Sequence, residues 1–159
     1  AESRPTHVVF VPQLYGSMHR DTPYLEALAR LLPANISCEV LSDTKSSNEQ
    51  RALFAAADWV IAGRYHPAVF AVSAAVPVLC IAYEHKATGV LQAAGVPDAV
   101  MSIDEVTVEV VQDKARELLA ARADLSARLQ VAQVALREVS KLQNELKIRL
   151  ERSINNQHE

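Results

Sequence analysis

A chain of 159 residues is long enough to bury a useful core in one ordinary domain, and with half its residues hydrophobic and 22% charged it is not a disordered segment. Lysine and arginine number 16 against 19 aspartates and glutamates, a formal net charge of −3, which excludes a protein held to nucleic acid mainly by overall positive charge. The balance is uneven: residues 112–158 carry 9 basic and 6 acidic side chains, residues 1–111 carry 7 and 12. Cys38 and Cys80 both lie in apolar runs and read as small buried hydrophobes in a reducing compartment, with no metal or disulfide spacing. The longest apolar stretch, Pro67 to Tyr83, is broken by Pro77 and bracketed by Arg64–His66 and Glu84–Lys86, so a membrane span is not expected. No signal peptide is visible, and a cytoplasmic setting is expected. Because the chain opens on Ala1 rather than Met, a fragment of a larger protein is also expected.

In chain order, His7–Val11 is β-branched, ends at Pro12 and reads as a buried strand. Asp21 offers a helix cap, and Tyr24, Leu25, Leu28, Leu31 and Leu32 recur at helical spacing. Cys38–Leu41 is a second short strand, and Ser47 with Gln50 suggests a capping box for a helix to about Ala57. Trp59–Ala62 is a third strand, followed by a helix in which Pro67 suits the first position and which runs to about Ala75. Val78–Ala82 is a fourth strand, then a helix near Ala87–Ala94 that Gly95 terminates. Val100–Ser102 is a fifth, weak strand and Thr107–Ala123 is helical.

Five β–α alternations with apolar strands predict an α/β, Rossmann-like parallel sheet flanked by helices, over residues 1–123. Such sheets bind ligands beyond the carboxyl ends of their strands, which selects Gln13–Arg20, Ser42–Thr44, Gly63–His66, Tyr83–Lys86 and Ile103–Glu105. Residues 124–159 differ. Leu125, Leu129, Ala132, Leu136, Val139, Leu142, Leu146 and Leu150 recur three or four apart, the pattern of one long amphipathic helix. It is longer than a small sheet can cover, so it is expected to pack on a second domain or a second subunit, with Leu136, Val139, Leu142 and Leu146 exposed in an isolated monomer.

The sharpest chemistry is Gly63-Arg64-Tyr65-His66-Pro67, between a strand end and a helix start. Free N–H groups at that start favour an anion, Arg64 adds a fork that suits carboxylate or phosphate, and His66 falls where an N-cap belongs and can donate a proton. A surface arginine beside a capping histidine describes the same residues equally well. Tyr83-Glu84-His85-Lys86 follows the neighbouring strand; Lys86 brings another positive charge and Glu84 can accept from a sugar hydroxyl, while a solvated charged loop is the plain alternative. At the first strand end, Gln13 and Gly16 are candidates and His19 and Arg20 weaker ones. Tyr65 could contact a ligand or pack under its loop. There is no phosphate-cradling or dinucleotide glycine motif and no CxxC, so neither a cofactor nor a metal is expected.

Taken together, Ala56-Ala57-Asp58-Trp59-Val60-Ile61-Ala62-Gly63-Arg64-Tyr65-His66, then Phe70–Val78, then Ile81–Lys86 and Gly89, resemble the C-terminal half of the polysaccharide pyruvyl transferase family. The family pattern is an Asp-led strand ending in R-x-H, a small-residue helix, then a strand leading to Y-x-x-K. Val11-Pro12-Gln13 and the helix from Glu49 to Ala57 also fit, and the resemblance covers roughly residues 5–110. It implies a two-domain enzyme of GT-B-like architecture with the active site between Rossmann-like domains. It also implies transfer of pyruvyl from phosphoenolpyruvate to a hexose of a cell-surface glycan precursor, as a ketal, with no cofactor. The R-x-H residues match Arg64 and His66, and the Lys after the Tyr matches Lys86. Gly63, Tyr83, Glu84 and Gln13 are expected to line the substrate site. The family's glycine-rich, Asp-containing start is not found in this sequence. A lipid-linked acceptor would bring the enzyme near the inner face of the membrane. The alternatives are a GT-B-like glycosyltransferase with a nucleotide-sugar donor, for which Glu84 would meet the ribose, and a non-catalytic module that assembles through its terminal helix.

Overall fold

β-branched His7–Phe10 forms strand β1, which pairs in parallel with β2, Ser37–Val40, in the register His7↔Ser37 to Phe10↔Val40. The computed structural model describes residues 6–14, 20–41 and 46–155, with side chains of the last helix described to Ala135 and at Glu138 and Glu145–Lys147. The chain forms two compact units, Ala1–Asn48 and Glu49–Glu159.

In the first unit, helix α1, Thr22–Arg30, connects the two strands. Asp21 stands at its N-cap as the sequence predicts, but its side chain does not cap the helix. Instead its Oδ2 accepts from the backbone N–H groups of Gln13 and Leu14 at 3.0 and 3.1 Å, fastening the exit of β1 to the start of α1. Both strands are only partly covered. Cys38 is exposed rather than buried, because β2 is a strand whose first three residues face solvent; an apolar run reports hydrophobicity, not whether anything lies over it.

The second unit is built on three parallel strands, β3 (Val60–Ala62), β4 (Val78–Ala82) and β5 (Val100–Ser102), in the order β3-β4-β5. The parallel α/β character is as the sequence predicts, but the described strands pair as two sheets rather than one. Apolar runs identify strands without saying which edge meets which. Around this sheet lie α2 (Ser47–Ala55), α3 (Tyr65–Ser73), α4 (His85–Ala93), α5 (Val108–Ala120) and the 34-residue α6 (Arg122–Asn155). Val78, Leu79 and Cys80 of β4 have no exposure, nor do Leu91 of α4 and Leu125 and Leu129 of α6, so the core is built around the central strand with α3, α4 and α5 on it and α6 packed against α3 and α5. Burial pushes the Cys80 thiol up to about 11, which makes it an inert packing group. Phe54 of α2 stacks on Phe70 of α3 with ring centroids 5.6 Å apart.

The β3–α3 and β4–α4 segments are versions of one unit offset by 20 residues: Ile61-Ala62 answers Ile81-Ala82, and Ala74-Ala75-Val76-Pro77 answers Ala94-Gly95-Val96-Pro97. Each helix ends in the same Schellman motif. The N–H groups of Gly95 and Val96 donate to Gln92 and Leu91, and those of Ala75 and Val76 donate to Val72 and Ala71. Gly95 takes φ +72°, where glycine is at ease; its counterpart Ala75 is held at φ 56°. That conformation costs an alanine roughly 1–2 kcal/mol, against about 0.4–1 kcal/mol of extra chain entropy for glycine in the unfolded state. Ala75→Gly is therefore expected to stabilise the protein by about 0.5–1 kcal/mol, raising Tm by roughly 2 °C. A lowered Tm in thermal melting would refute the strain.

Helix α6 anchors itself on these two loops. Ser126 Oγ donates to the Ala75 carbonyl at 2.9 Å, Gln133 Nε2 donates to that of Ser73, and Arg128 Nη1 donates to that of Gly95 at 3.2 Å. Leu125 and Leu129, expected to share a stripe kept for a partner, are buried within the unit itself. Val131, Val134 and Leu146 are exposed; the side chains of Leu136, Val139, Leu142 and Leu150 lie outside the described residues.

Arg128 also grips Asp98 through two parallel bonds, 2.8 and 2.7 Å, which hold the Asp98 carboxyl below its ordinary value. A lowered folded-state pKa means the pair's stabilisation is complete above the unfolded aspartate value, near 4, and fades as pH falls through the folded one. With both side chains about one-third exposed, at 33% and 38%, it is worth about 1 kcal/mol or less. Asp98→Asn is expected to lower Tm at pH 7 and to match the parent progressively as pH drops below about 4. An equal difference at both pH values would remove the pair from the stability balance.

Candidate functional site

Because β3 and β4 are neighbours and parallel, with Ala62 opposite Cys80, the turns that follow them share the carboxyl edge of the sheet. After β3 come Gly63, then Arg64 as the N-cap of α3; after β4 come Tyr83, then Glu84 as the N-cap of α4. Both N-caps are extended, at φ −145° and −134°. The helix thus starts two residues earlier than Pro67 suggests, and His66 is inside it rather than at its cap. Proline is tolerated anywhere in a first turn, since those N–H groups have no helical partner, so Pro67 did not mark the first position.

Neither α3 nor α4 has a side-chain cap bond, and neither has an acidic residue in its first turn. By contrast Thr107 caps α5, accepting from Val110 N–H at 3.2 Å, and Ser102 with Glu105 forms a capping box on the turn after β5. The two helix starts at this edge therefore keep donors and dipole available to a ligand or to water. Around them are set a half-buried Arg64 and exposed His66, His85 and Lys86, with Glu84 at the cap of α4.

Arg64, Tyr65, Tyr83 and Glu84 line a depression floored by Ile81, Ala82 and Ala87. It encloses about 10 Å³, space for a single water. His66 and Lys86 stand at the same helix starts but do not line it. Tyr65, whose ring meets His66 edge-on with centroids 5.4 Å apart, lines the depression and is exposed rather than packed beneath its turn. Gly63 is not in the left-handed region, and a Cβ there would meet nothing within 4 Å. The turn itself therefore does not demand glycine; what the residue provides is open space before Arg64. Gln13 belongs to the first unit, where its side chain donates to the Pro12 carbonyl at 3.1 Å. Arg20 is exposed, while Gly16, His19 and Ser42–Thr44 lie outside the described residues.

Residues 7–85 match the polysaccharide pyruvyl transferase family model. Over that segment, just under half of the chain, the sequence is similar to that family. A pyruvyl transferase family implies transferase activity, so the functional class is enzymatic. The match takes in Gln13, Gly63, Arg64, His66, Tyr83 and Glu84 and ends at His85, one residue before Lys86. In the family's terms the acceptor is a glycan and the transferred group is pyruvate. No helix among the described residues is long and apolar enough to cross a membrane.

Proposed function

We propose that the carboxyl edge of β3 and β4 is the donor face of a pyruvyl transferase that takes phosphoenolpyruvate and forms a ketal on a hexose of a cell-surface glycan precursor. The observation that carries this reading is the pair of adjacent, uncapped helix starts surrounded by Arg64, His66 and Lys86. Phosphoenolpyruvate presents a carboxylate and a phosphate, and that double anion calls for a planar fork, a point charge and backbone N–H donors together. In the reaction C3 of the donor gains a proton and becomes methyl, the C2–O bond to phosphate breaks, and two sugar hydroxyls add to C2. One hydroxyl proton balances the methyl and the other leaves with phosphate. His66 is the residue for proton delivery or for the phosphate, and Glu84 for a sugar hydroxyl.

The depression has room for no more than about one water, so this face alone does not enclose the donor. The opposing wall is assigned to a second Rossmann-like domain, in a GT-B-like arrangement, or to a second subunit meeting α6. The reaction is placed on the cytoplasmic side, near the membrane when the acceptor is lipid-linked. Release of inorganic phosphate from phosphoenolpyruvate in the presence of a glycan acceptor tests the proposal. Turnover of a nucleotide sugar instead, with no phosphate released, overturns it.

A further inference from the structure

Helix α6 holds the two site-bearing helices at their far ends, through the same atom in each. The carbonyl of the left-handed residue after α3, Ala75, accepts from Ser126; the carbonyl of its counterpart after α4, Gly95, accepts from Arg128. Arg128 is fixed in turn by its two-pronged bond to Asp98, and Leu125 and Leu129 seat the helix with no exposure at all. At their other ends α3 and α4 carry Arg64 with His66 and Glu84 with Lys86. Each helix is nine residues long, a stiff rod of about 13 Å, so a displacement at one end reappears at the other.

We propose that Ser126 and Arg128 are positioning residues for the donor site: by pinning the C-terminal loops of α3 and α4 to one helix, they set the separation of the two helix starts that carry Arg64 and Lys86. The inference rests on the donor-face reading above. A small double anion held by both starts tolerates little error, since a misplacement of about 1 Å can cost on the order of a hundredfold in rate. Apolar packing alone leaves α3 and α4 freer to slide along their axes. A hydrogen bond to a defined carbonyl weakens steeply with misalignment and fixes that coordinate.

The test measures kcat and KM for phosphoenolpyruvate by phosphate release in the intact protein, together with Tm, for Arg128→Ala, Ser126→Ala, Arg128→Ala with Ala75→Gly, and Arg64→Ala. Arg128→Ala is expected to raise the donor KM about 3- to 10-fold with a smaller change in kcat, and Ser126→Ala to do the same more weakly. Adding Ala75→Gly restores Tm without remaking the contact at Gly95, so the raised KM is expected to persist. A KM that recovers with Tm makes Arg128 a general stabiliser and overturns the inference. An unchanged KM in Arg128→Ala, while Arg64→Ala loses activity, overturns the positioning role and leaves the donor face standing. Normal donor kinetics in Arg64→Ala overturn both.

Discussion

Replacing Arg64 with alanine is expected to reduce pyruvyl transfer by roughly 30-fold to several thousandfold, the equivalent of about 2–5 kcal/mol. The size follows from position. Arg64 is half-buried at the N-cap of α3 and lines the depression between the two helix starts, so an anion bound there loses a two-pronged partner in a partly desolvated setting. A fully solvated arginine pair is worth only about 0–1 kcal/mol, and its loss would be hard to see in rates. Arg64→Lys is expected to recover part of the activity, because an ammonium restores the charge and not the fork. Phosphate release under saturating acceptor is the measurement; near-normal turnover in the alanine variant would return Arg64 to the surface.

The largest structural effect is expected at Leu129. It has no exposure and is the second of two leucines that seat α6 on the unit, so Leu129→Ala leaves a cavity that the neighbouring strand and helices cannot collapse into. The cost is about 2–5 kcal/mol, a fall in Tm on the order of 5–15 °C. Val131, two residues on and 73% exposed, serves as the internal comparison: Val131→Ser is expected to change stability by no more than about 0.5 kcal/mol. Similar losses at both positions would show that α6 is held by something other than its buried face.

Much of this was legible in the sequence because strands and helix ends leave chemical marks. The runs around Val60, Val78 and Val100 form strands, Gly95 ends its helix, and the carboxyl-end rule selects the turns that hold Arg64 and Glu84. What was hidden is equally physical. Ala75 performs the same turn as Gly95 but, as an alanine, carries no sign of a left-handed backbone. Pro67 looked like a first helical residue and proved to be the third, which moved the cap from His66 to Arg64. The division into two sheets depends on edge pairing, which residue type does not encode. The hold of α6 on the Ala75 and Gly95 carbonyls runs from side chain to backbone across more than thirty residues, and backbone acceptors are identical in every residue.

The missing caps on α3 and α4 have a thermodynamic corollary. A helix start without a capping side chain forgoes about 1 kcal/mol, and this sheet edge forgoes it twice while the neighbouring α5 does not. Any anion that settles on those N–H groups supplies what the chain omitted, and because it binds the folded state alone it shifts the folding equilibrium by mass action, by about 2.7 kcal/mol at a hundred times its Kd. If the proposed donor face is right, occupancy and folding are linked at this edge, and the protein is expected to resist heat most when the donor is plentiful and least when it is exhausted.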